Sequence, residues 1–363
     1  HGHASGVARA SFLGWKRHEL RFVVSGLGGD YRSGPLPLPG SAEVLHPGHC
    51  QHRHQVGTQS TMGRPRLMFL LLKRSKGSLM RSIPTLADGG LRLDGKPFTI
   101  IGAEVHNSSS STREQVQKSF NRVATFGANT VLAPVAWDQL EPVEGEFDFS
   151  LVDVMLEVAQ ENRLRLIPLW FGSWKNASSS YAPSWVKTDP HRFTRASTGS
   201  AGAIEHLSPF GEESRQPDLA AFAAFMAHLR GVDTEGTVIM VQVENEVGLL
   251  GDSRDRSGLA NDAWSSSIPF KLIDIIAKAD GSPGHEAWVV KGRRTAGTWS
   301  EVLGDTSTAH EVFMAWAYAS YIEAVASAGR EQHNVPLYVN AWLDSELDSE
   351  LDADAAAALT GPA

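Results

Sequence analysis

The chain has 363 residues, enough for one large domain or two small ones, and its hydrophobic content of 42% is ordinary for a soluble globular protein. Its net charge of −8 argues against nucleic acid or an anionic membrane as the main partner. The single cysteine, Cys50, excludes an internal disulfide framework and any metal site built from several cysteines.

Residues 1–87 differ from the rest of the chain. They are rich in histidine, contain a run of prolines (Pro35, Pro37 and Pro39), and show no sustained hydrophobic period of 2 or 3.6. We therefore expect this region to be poorly ordered or foreign to the domain, with Met62 and Met80 as plausible starts. No stretch has the roughly 18 apolar residues of a membrane span, and no signal peptide is detectable, so the default expectation is a cytoplasmic protein.

Regular patterns begin at Leu91, where residues 91–97 read as a hairpin with an Asp-Gly turn. Apolar runs predict strands over 98–103, 129–134, 164–169, 237–243 and 336–342. Helical periods predict helices over 112–126, 151–162, 217–229, 270–279 and 309–328. Strands that alternate with helices indicate a parallel α/β sheet buried on both faces. No glycine-rich phosphate loop follows the first strand, which disfavours a dinucleotide-binding fold.

Polar and aromatic residues gather just after the predicted strands, where a (β/α)₈ barrel places its active site. They are Glu104, His106 and Asn107 after the first strand, Trp137 and Glu141 after the second, Trp170, Trp174 and Asn176 after the third, and Glu244, Asn245 and Glu246 after the fourth. Five strands are predicted where a complete barrel has eight, so we expect residues 88–343 to form a partial barrel and residues 344–363 to be an acidic, alanine-rich tail.

Two carboxylates flank an amide at the end of the fourth strand. Side chains alternate along a strand, so Glu244 and Glu246 are expected to share an orientation and to oppose Asn245, unless the backbone bends there. Glycoside hydrolysis needs a proton donor and a second carboxylate across the sugar. On spacing alone, a pair of surface acids that caps the next helix explains the pattern equally well.

The segment from Gln242 to Gly248 resembles the acid/base motif of glycoside hydrolase family 35 β-galactosidases, particularly their bacterial branch, which is often grouped with family 42-type barrels. Four other segments, 94–109, 132–149, 169–186 and 336–342, resemble that family in the expected order. The resemblance covers roughly residues 88–343. It implies a (β/α)₈ barrel of the retaining-glycosidase clan that removes terminal β-D-galactosyl groups from a β-galactoside or oligosaccharide.

The resemblance also implies roles for individual residues. Glu246 corresponds to the general acid/base, and Asn245 to the residue that contacts the sugar 2-hydroxyl. The remaining residues expected at the substrate are Glu104, His106, Asn107, Trp137, Trp170, Trp174 and Asn176. Each has an ordinary structural alternative, such as tryptophan packing at the barrel top, an arginine partner for Glu104, or a loop end at Glu141. No cofactor or metal is expected, because two carboxylates suffice for the reaction.

The nucleophile is the main departure from the family pattern. In the family it lies near the end of the seventh strand, whereas this chain ends soon after the fifth. Glu346 and Glu350 lie in a Ser-Glu-Leu-Asp repeat without an apolar strand before them, which is typical of a solvated end. We therefore expect the nucleophile to be absent and the chain alone to be inactive. The alternatives are another β-glycosidase of the clan, such as a β-glucosidase or β-mannanase, and a non-catalytic sugar-binding remnant or gene fragment.

Overall fold

The computed structural model describes residues 20–24, 83–87 and 89–341. All of them belong to one unit, which takes in residues 1–27 and 80–363. The predicted tail, with Glu346 and Glu350, and the possible starts Met62 and Met80 lie outside the described residues.

Helices separate the strands at 101–105, 130–136, 165–175, 241–245 and 337–338 in the chain, as the sequence predicts. The strands are β1 (Leu20–Val24), β2 (Thr85–Ala87), β3 (Gly90–Leu93), β4 (Lys96–Pro97), β5 (Ile101–Val105), β6 (Thr130–Ala136), β7 (Arg165–Lys175), β8 (Arg195–Thr198), β9 (Gly202–Leu207), β10 (Val241–Asn245) and β11 (Leu337–Tyr338). The helices are α1 (Arg113–Thr125), α2 (Trp137–Leu140), α3 (Ser150–Glu161), α4 (Ser184–Lys187), α5 (Glu212–Val232), α6 (Gly258–Ser265), α7 (Phe270–Lys278), α8 (Pro283–Val290), α9 (Trp299–Leu303) and α10 (Ser307–Gln332).

The main sheet has the strand order β1-β5-β6-β7-β10-β11, and the five strands from β5 to β11 run parallel. A helix crosses over between each pair of neighbours: α1 follows β5, α3 follows β6, α5 follows β7 and α10 precedes β11. Parallel neighbours need such crossovers, because their ends lie at opposite edges of the sheet. The predicted α/β class, with a parallel sheet of five strands, is confirmed.

The N-terminal region contributes two strands that the sequence did not predict. Strand β1 pairs antiparallel with β5 over its whole length, from Leu20 opposite Val105 to Val24 opposite Ile101. Strand β2 pairs with β3, and the β3–β4 hairpin turns at Asp94-Gly95 as predicted. An edge strand presents unpaired N–H and C=O groups, and an added strand satisfies them. Residues 20–24 therefore pair with the domain, although they belong to a region expected to lie outside it.

The sheet is buried on both faces. On one face the helices pack against alternating strand residues such as Val131, Ala133 and Val241. On the other face Leu132, Ile167 and Leu169 join a smaller apolar cluster that also includes residues of the β2–β4 region. Because both faces are covered, β6 is buried at every position from 130 to 136. This two-sided burial explains why the strands read as continuous apolar runs.

Helices α5 and α10 pack closely against each other on the helical face. A Cβ atom added to Gly329 of α10 would lie 2.7 Å from Cδ1 of Phe222 and still closer to Cε1 of that ring, while Met226 Cγ would be 3.1 Å away. Phe222 and Met226 are fully buried in α5. The absence of a side chain at position 329 therefore sets how closely the two helices approach.

We predict that Gly329→Ala destabilises the fold by about 1–3 kcal/mol, because the methyl group overpacks the α5–α10 interface. Gly231→Ala is the matched control, since Gly231 also lies near the end of a helix and a Cβ there would meet nothing within 4 Å. Alanine favours the helix by about 0.5–1 kcal/mol at either position, so the control should be neutral or more stable. Chemical denaturation of both variants measures the difference, and equal stabilities would contradict this account of the interface.

Candidate active site

The backbone bends sharply where β10 ends. Val243 pairs with Trp170 of β7, but the next pairing joins Asn245 to Lys175, so residues 171–174 of β7 stand opposite Glu244 alone. Glu244 and Glu246 both have positive φ, 59° and 48°. Extra residues in one strand break the ladder and bend it, which is the effect of a β-bulge.

The bend changes which side chains share a side of β10. Gln242 Nε2 donates to Asn245 Oδ1 at 3.0 Å, so these residues lie together although they are three positions apart. The side chain of Glu244 instead accepts hydrogen bonds from the amides of Ser173 and Trp174, at 3.1 and 2.9 Å. The simple alternation expected for Glu244, Asn245 and Glu246 is therefore wrong, because the strand is not regular at this point.

The ends of β7, β10 and β11 meet around Asn245, which is buried. Its Nδ2 donates to Asn176 Oδ1 at 3.1 Å, and its Oδ1 accepts from Asn340 Nδ2 at 3.1 Å. The backbone follows the same arrangement: the amides of Asn176 and Ala177 donate to the carbonyls of Asn245 and Glu246, and the amide of Glu246 donates to the carbonyl of Asn340. Asn176 and Ala177 both have φ of 52°. The half-buried Glu246 is thus held by backbone contacts from two neighbouring strand ends.

Three predicted residues lie at the end of β5. Glu104 is half-buried, in register with Leu132 of β6. His106 is exposed, and the amide of Ser108 donates to its Nδ1 at 3.4 Å. The Ser108 hydroxyl oxygen also lies 3.1 Å from Nδ1 of His106. Asn107 forms a side-chain hydrogen bond with Tyr181, whose pKa is raised mainly by burial.

The three tryptophans predicted to contact sugar are fully buried: Trp137, Trp170 and Trp174. Their Nε1 atoms donate to Glu141 Oε2 at 2.7 Å, to Asp218 Oδ1 at 3.0 Å and to the carbonyl of Leu207 at 3.0 Å. A ring needs an exposed face to stack on a sugar, and these rings have none. The role that the structure supports for them is packing beneath the site.

Glu141 lies in the loop that follows β6 and the short helix α2. Its carboxylate accepts from Trp137 Nε1 and from the amide of Gly145, each at 2.7 Å, and its carbonyl accepts from Trp185 Nε1 at 3.1 Å. Burial raises the pKa of this carboxyl group, and the two donors partly oppose that rise. These contacts match the structural alternative, in which Glu141 ends a loop.

Sequence reasoning missed three residues near this end of the sheet. Asn340 completes the amide cluster around Asn245. Tyr338 pairs in register with Gln242, and its buried hydroxyl has no hydrogen-bond partner within residues 83–87 and 89–341. His206 bonds through Nδ1 to the carbonyl of Ala177 at 2.7 Å and through Nε2 to the hydroxyl of Tyr318 at 2.6 Å. The available signal for Asn340 was its position near the end of the last predicted strand, 336–342.

Within the same described residues, no three His, Cys, Asp or Glu side chains come together as a possible metal site. No helix of that part of the chain is both long and apolar enough to cross a membrane.

His206 should make the loop at residues 176–177 sensitive to acid. Burial lowers its pKa to about 4 from an ordinary value of 6.5, so the unfolded chain binds a proton between these pH values that the folded chain does not. The free energy of unfolding is therefore not reduced by His206 above pH 6.5. It decreases as the pH falls towards 4, by about 3 kcal/mol at most. We predict a flatter dependence for His206→Gln, measured by urea denaturation across this range. His191→Gln, at an exposed site, should follow the wild type, and parallel curves for His206→Gln and wild type would contradict the assignment.

Comparison with known proteins identifies relatives for this part of the chain. Residues 90–268 match the family model described as glycosyl hydrolases family 35. Beta-galactosidase 11 of Arabidopsis thaliana is 24% identical over 58% of this chain and 24% of its own length. A beta-galactosidase of Xanthomonas manihotis is 27% identical over 47% of this chain and 28% of its own length. The chain thus spans about a quarter of the length of the relatives it matches.

Solved structures with a similar arrangement have low identity to the chain. The beta-galactosidase from the psychrophilic Marinomonas ef1 matches with a TM-score of 0.45 and 13% identity, over 67% of this chain and 37% of that one. The beta-galactosidase from Halorubrum lacusprofundi matches with a TM-score of 0.44 and 17% identity, over 63% of this chain and 34% of that one.

Proposed function

Because residues 90–268 match the family model described as glycosyl hydrolases family 35, we propose that this chain carries the acid/base side of an active site that hydrolyses terminal β-D-galactosides with retention of configuration. The observation that carries the proposal is the pair Asn245-Glu246 at the bent end of β10, where a half-buried carboxyl follows a buried amide. The carboxyl end of a parallel sheet is the usual place for catalytic groups in barrel enzymes.

Glu246 performs two proton transfers in this proposal. As an acid it protonates the glycosidic oxygen while the bond to the sugar breaks, and as a base it then takes a proton from the incoming water. Its backbone bonds to Ala177 and Asn340 fix where the carboxyl group begins. Retention also requires a second carboxyl group about 5–5.5 Å away, and we assign that role to none of the described residues.

Asn245 orients the sugar in the same proposal. An amide nitrogen has two hydrogens, so Nδ2 can donate to a sugar oxygen while it also donates to Asn176. Gln242 and Asn340 both donate to Oδ1, which fixes the orientation of the amide. A bond to the 2-hydroxyl strengthens as the transition state forms, so it contributes to turnover as well as to binding.

The end of β5 supplies further polar groups for sugar hydroxyls. His106 offers the ring nitrogen Nε2, and Glu104 offers carboxylate oxygens. Asn107 contributes an amide beside Tyr181. In our proposal a terminal sugar binds at this end through hydrogen bonds. The buried tryptophans do not contact the sugar and pack beneath the site.

The first test is binding, which needs no nucleophile. Ligand-observed NMR with methyl β-galactoside should show binding to the wild-type chain and markedly weaker binding to Asn245→Ala. Methyl α-galactoside is the comparison for the anomeric configuration. Methyl β-glucoside and methyl β-mannoside are the comparisons that separate β-galactoside recognition from that of other β-glycosidases. Equal binding of all four sugars, or of none, would rule out the proposed substrate class.

The second test concerns the acid/base role in any preparation that hydrolyses nitrophenyl β-galactoside. We predict that Glu246→Gln lowers kcat/KM for alkyl galactosides by about 10²–10⁴-fold, while substrates with activated leaving groups lose far less in the first step. Azide should restore the second step, because it attacks without a base. Glu235→Gln is the control, since this exposed residue lies in the turn before the other end of β10. Wild-type turnover of alkyl galactosides by Glu246→Gln would refute the role.

A further inference from the structure

Two carboxyl groups meet in the dry layer between the sheet and the helices. Glu244 of β10 and Asp218 of α5 are 1% and 0% exposed. The amide of Ser173 lies 3.1 Å from Oε1 of Glu244 and 3.1 Å from Oδ2 of Asp218, so a single donor is shared between both groups. A Cβ atom on Gly172 would lie 2.6 Å from Asp218 Oδ1 and nearer still to Glu244 Oε1. Only glycine leaves room for the two acids side by side.

The groups that face this pair are neutral or acidic. Strand β7 contributes the amides of Ser173 and Trp174 and the indole of Trp170, and α10 contributes the hydroxyl of Tyr321, 3.3 Å from Asp218 Oδ2. None of the ion pairs among the described residues includes either acid. Two adjacent buried carboxylates without a cation cannot both stay charged, because repulsion and desolvation add.

We propose that Glu244 and Asp218 form a buried acid pair that holds one shared proton at neutral pH, and that this pair is the positioning device for the bend that presents Asn245 and Glu246. The proton belongs on Glu244 and is donated towards Asp218, which already accepts from Trp170, Ser173 and Tyr321. Burial first, and the charge of Asp218 second, raise the pKa of Glu244 well above its ordinary value. The positioning role rests on the function proposed above, whereas the shared proton does not.

The positioning role follows from the broken ladder. Where residues 171–174 bulge away from β10, the amides of Ser173 and Trp174 lose their strand partners, and the Glu244 carboxyl accepts both. An unpaired amide in a buried layer is costly, so this carboxyl group maintains the bulge. Asn245 and Glu246 follow Glu244 directly in the chain, so the orientation of their side chains depends on the bulge.

Infrared spectroscopy tests the proton directly. At pH 7 the wild-type chain should show the carbonyl band of a protonated carboxylic acid, shifted in D₂O. Glu244→Gln and Asp218→Asn should each lose it, since either leaves a lone carboxylate beside an amide donor. Glu161→Gln, at an exposed site, should retain it. The absence of this band in the wild type, or its persistence in both variants, would overturn the shared proton.

The pH dependence of unfolding tests the same proton by a second route. An unfolded glutamate loses its proton above a pH of about 4.3, while the folded pair keeps it. The unfolding constant of the wild type, relative to Glu244→Gln, should therefore rise tenfold per pH unit above that value until the folded pair itself ionises. A ratio that stays constant between pH 5 and 7 would contradict the proposal. If Glu244→Gln does not fold, the wild-type infrared titration and Asp218→Asn decide the question.

Binding of methyl β-galactoside tests the positioning role. In Glu244→Gln the amide oxygen can still accept from Trp174, the NH₂ group donates towards Asp218, and Asp218 continues to accept from Ser173, so this variant should bind within a few-fold of the wild type. Glu244→Ala should lose binding as Asn245→Ala does. Full binding by a folded Glu244→Ala would overturn the positioning role. If the wild type itself does not bind, the proposed function fails, and the infrared and unfolding results still decide whether the acid pair exists.

Discussion

Backbone amides that leave a parallel ladder inside a dry layer must find other acceptors. This constraint governs the carboxyl end of the sheet, where the β7–β10 pairing stops being regular after Val243 and Trp170. The Glu244 carboxyl accepts two of the displaced amides, and Asp218 shares one of them. Unmet, each amide would cost about 1–3 kcal/mol, which is a large share of the stability of a typical domain. The backbone path at the candidate site is thus set by the hydrogen bonds that the displaced amides form in the layer beneath it.

The same layer explains the tryptophans. A parallel sheet covered on both faces has little free surface except at its strand ends, so aromatic residues close to those ends can be buried or exposed according to small changes in strand path. Here Trp170, in the last regular pair of β7, contacts Phe222 of α5, and Trp174, within the bulge, contacts Tyr321 of α10. Burial of their large apolar area stabilises the helical face. The side-chain amides of Asn245 and Asn176 remain at the carboxyl end of the sheet.

Much of the fold could be predicted from the sequence because its signals are local. Continuous apolar runs marked five strands, and β6 and β7 began within a residue of their predicted starts. Helices α1 and α3 ended where their apolar periods ended. The short helices α6, α8 and α9 and the hairpin β8–β9 were missed, because segments of four to eight residues carry too few periods to be distinguished from loops.

The site was predictable in its position and not in its geometry. Strand ends can be read from composition, and this placed Asn245, Glu246 and Asn176 at one edge of the sheet. The bend at Glu244 depends on partners about 70 positions earlier in the chain, Ser173 and Trp174, and no local pattern encodes such a pairing. His206 and Asn340 were missed for the same reason. Asn340 contacts a residue 95 positions away, and His206 reaches Tyr318 across 112.

The left-handed backbone at Asn176, Ala177, Glu244 and Glu246 has a consequence for how the chain acquires its native state. Each such residue other than glycine disfavours its own conformation by roughly 1–2 kcal/mol, with asparagine the most tolerant. Tertiary contacts between distant strand ends compensate this cost. Those of Asn176, Ala177 and Glu244 need β7 and β10 to be paired, and that of Glu246 with Asn340 needs β11 as well. The strands can therefore assemble without the site, whereas the site cannot precede the strands. The conformation of these four residues is thus a property of the assembled sheet, and it is lost when the strand ends separate.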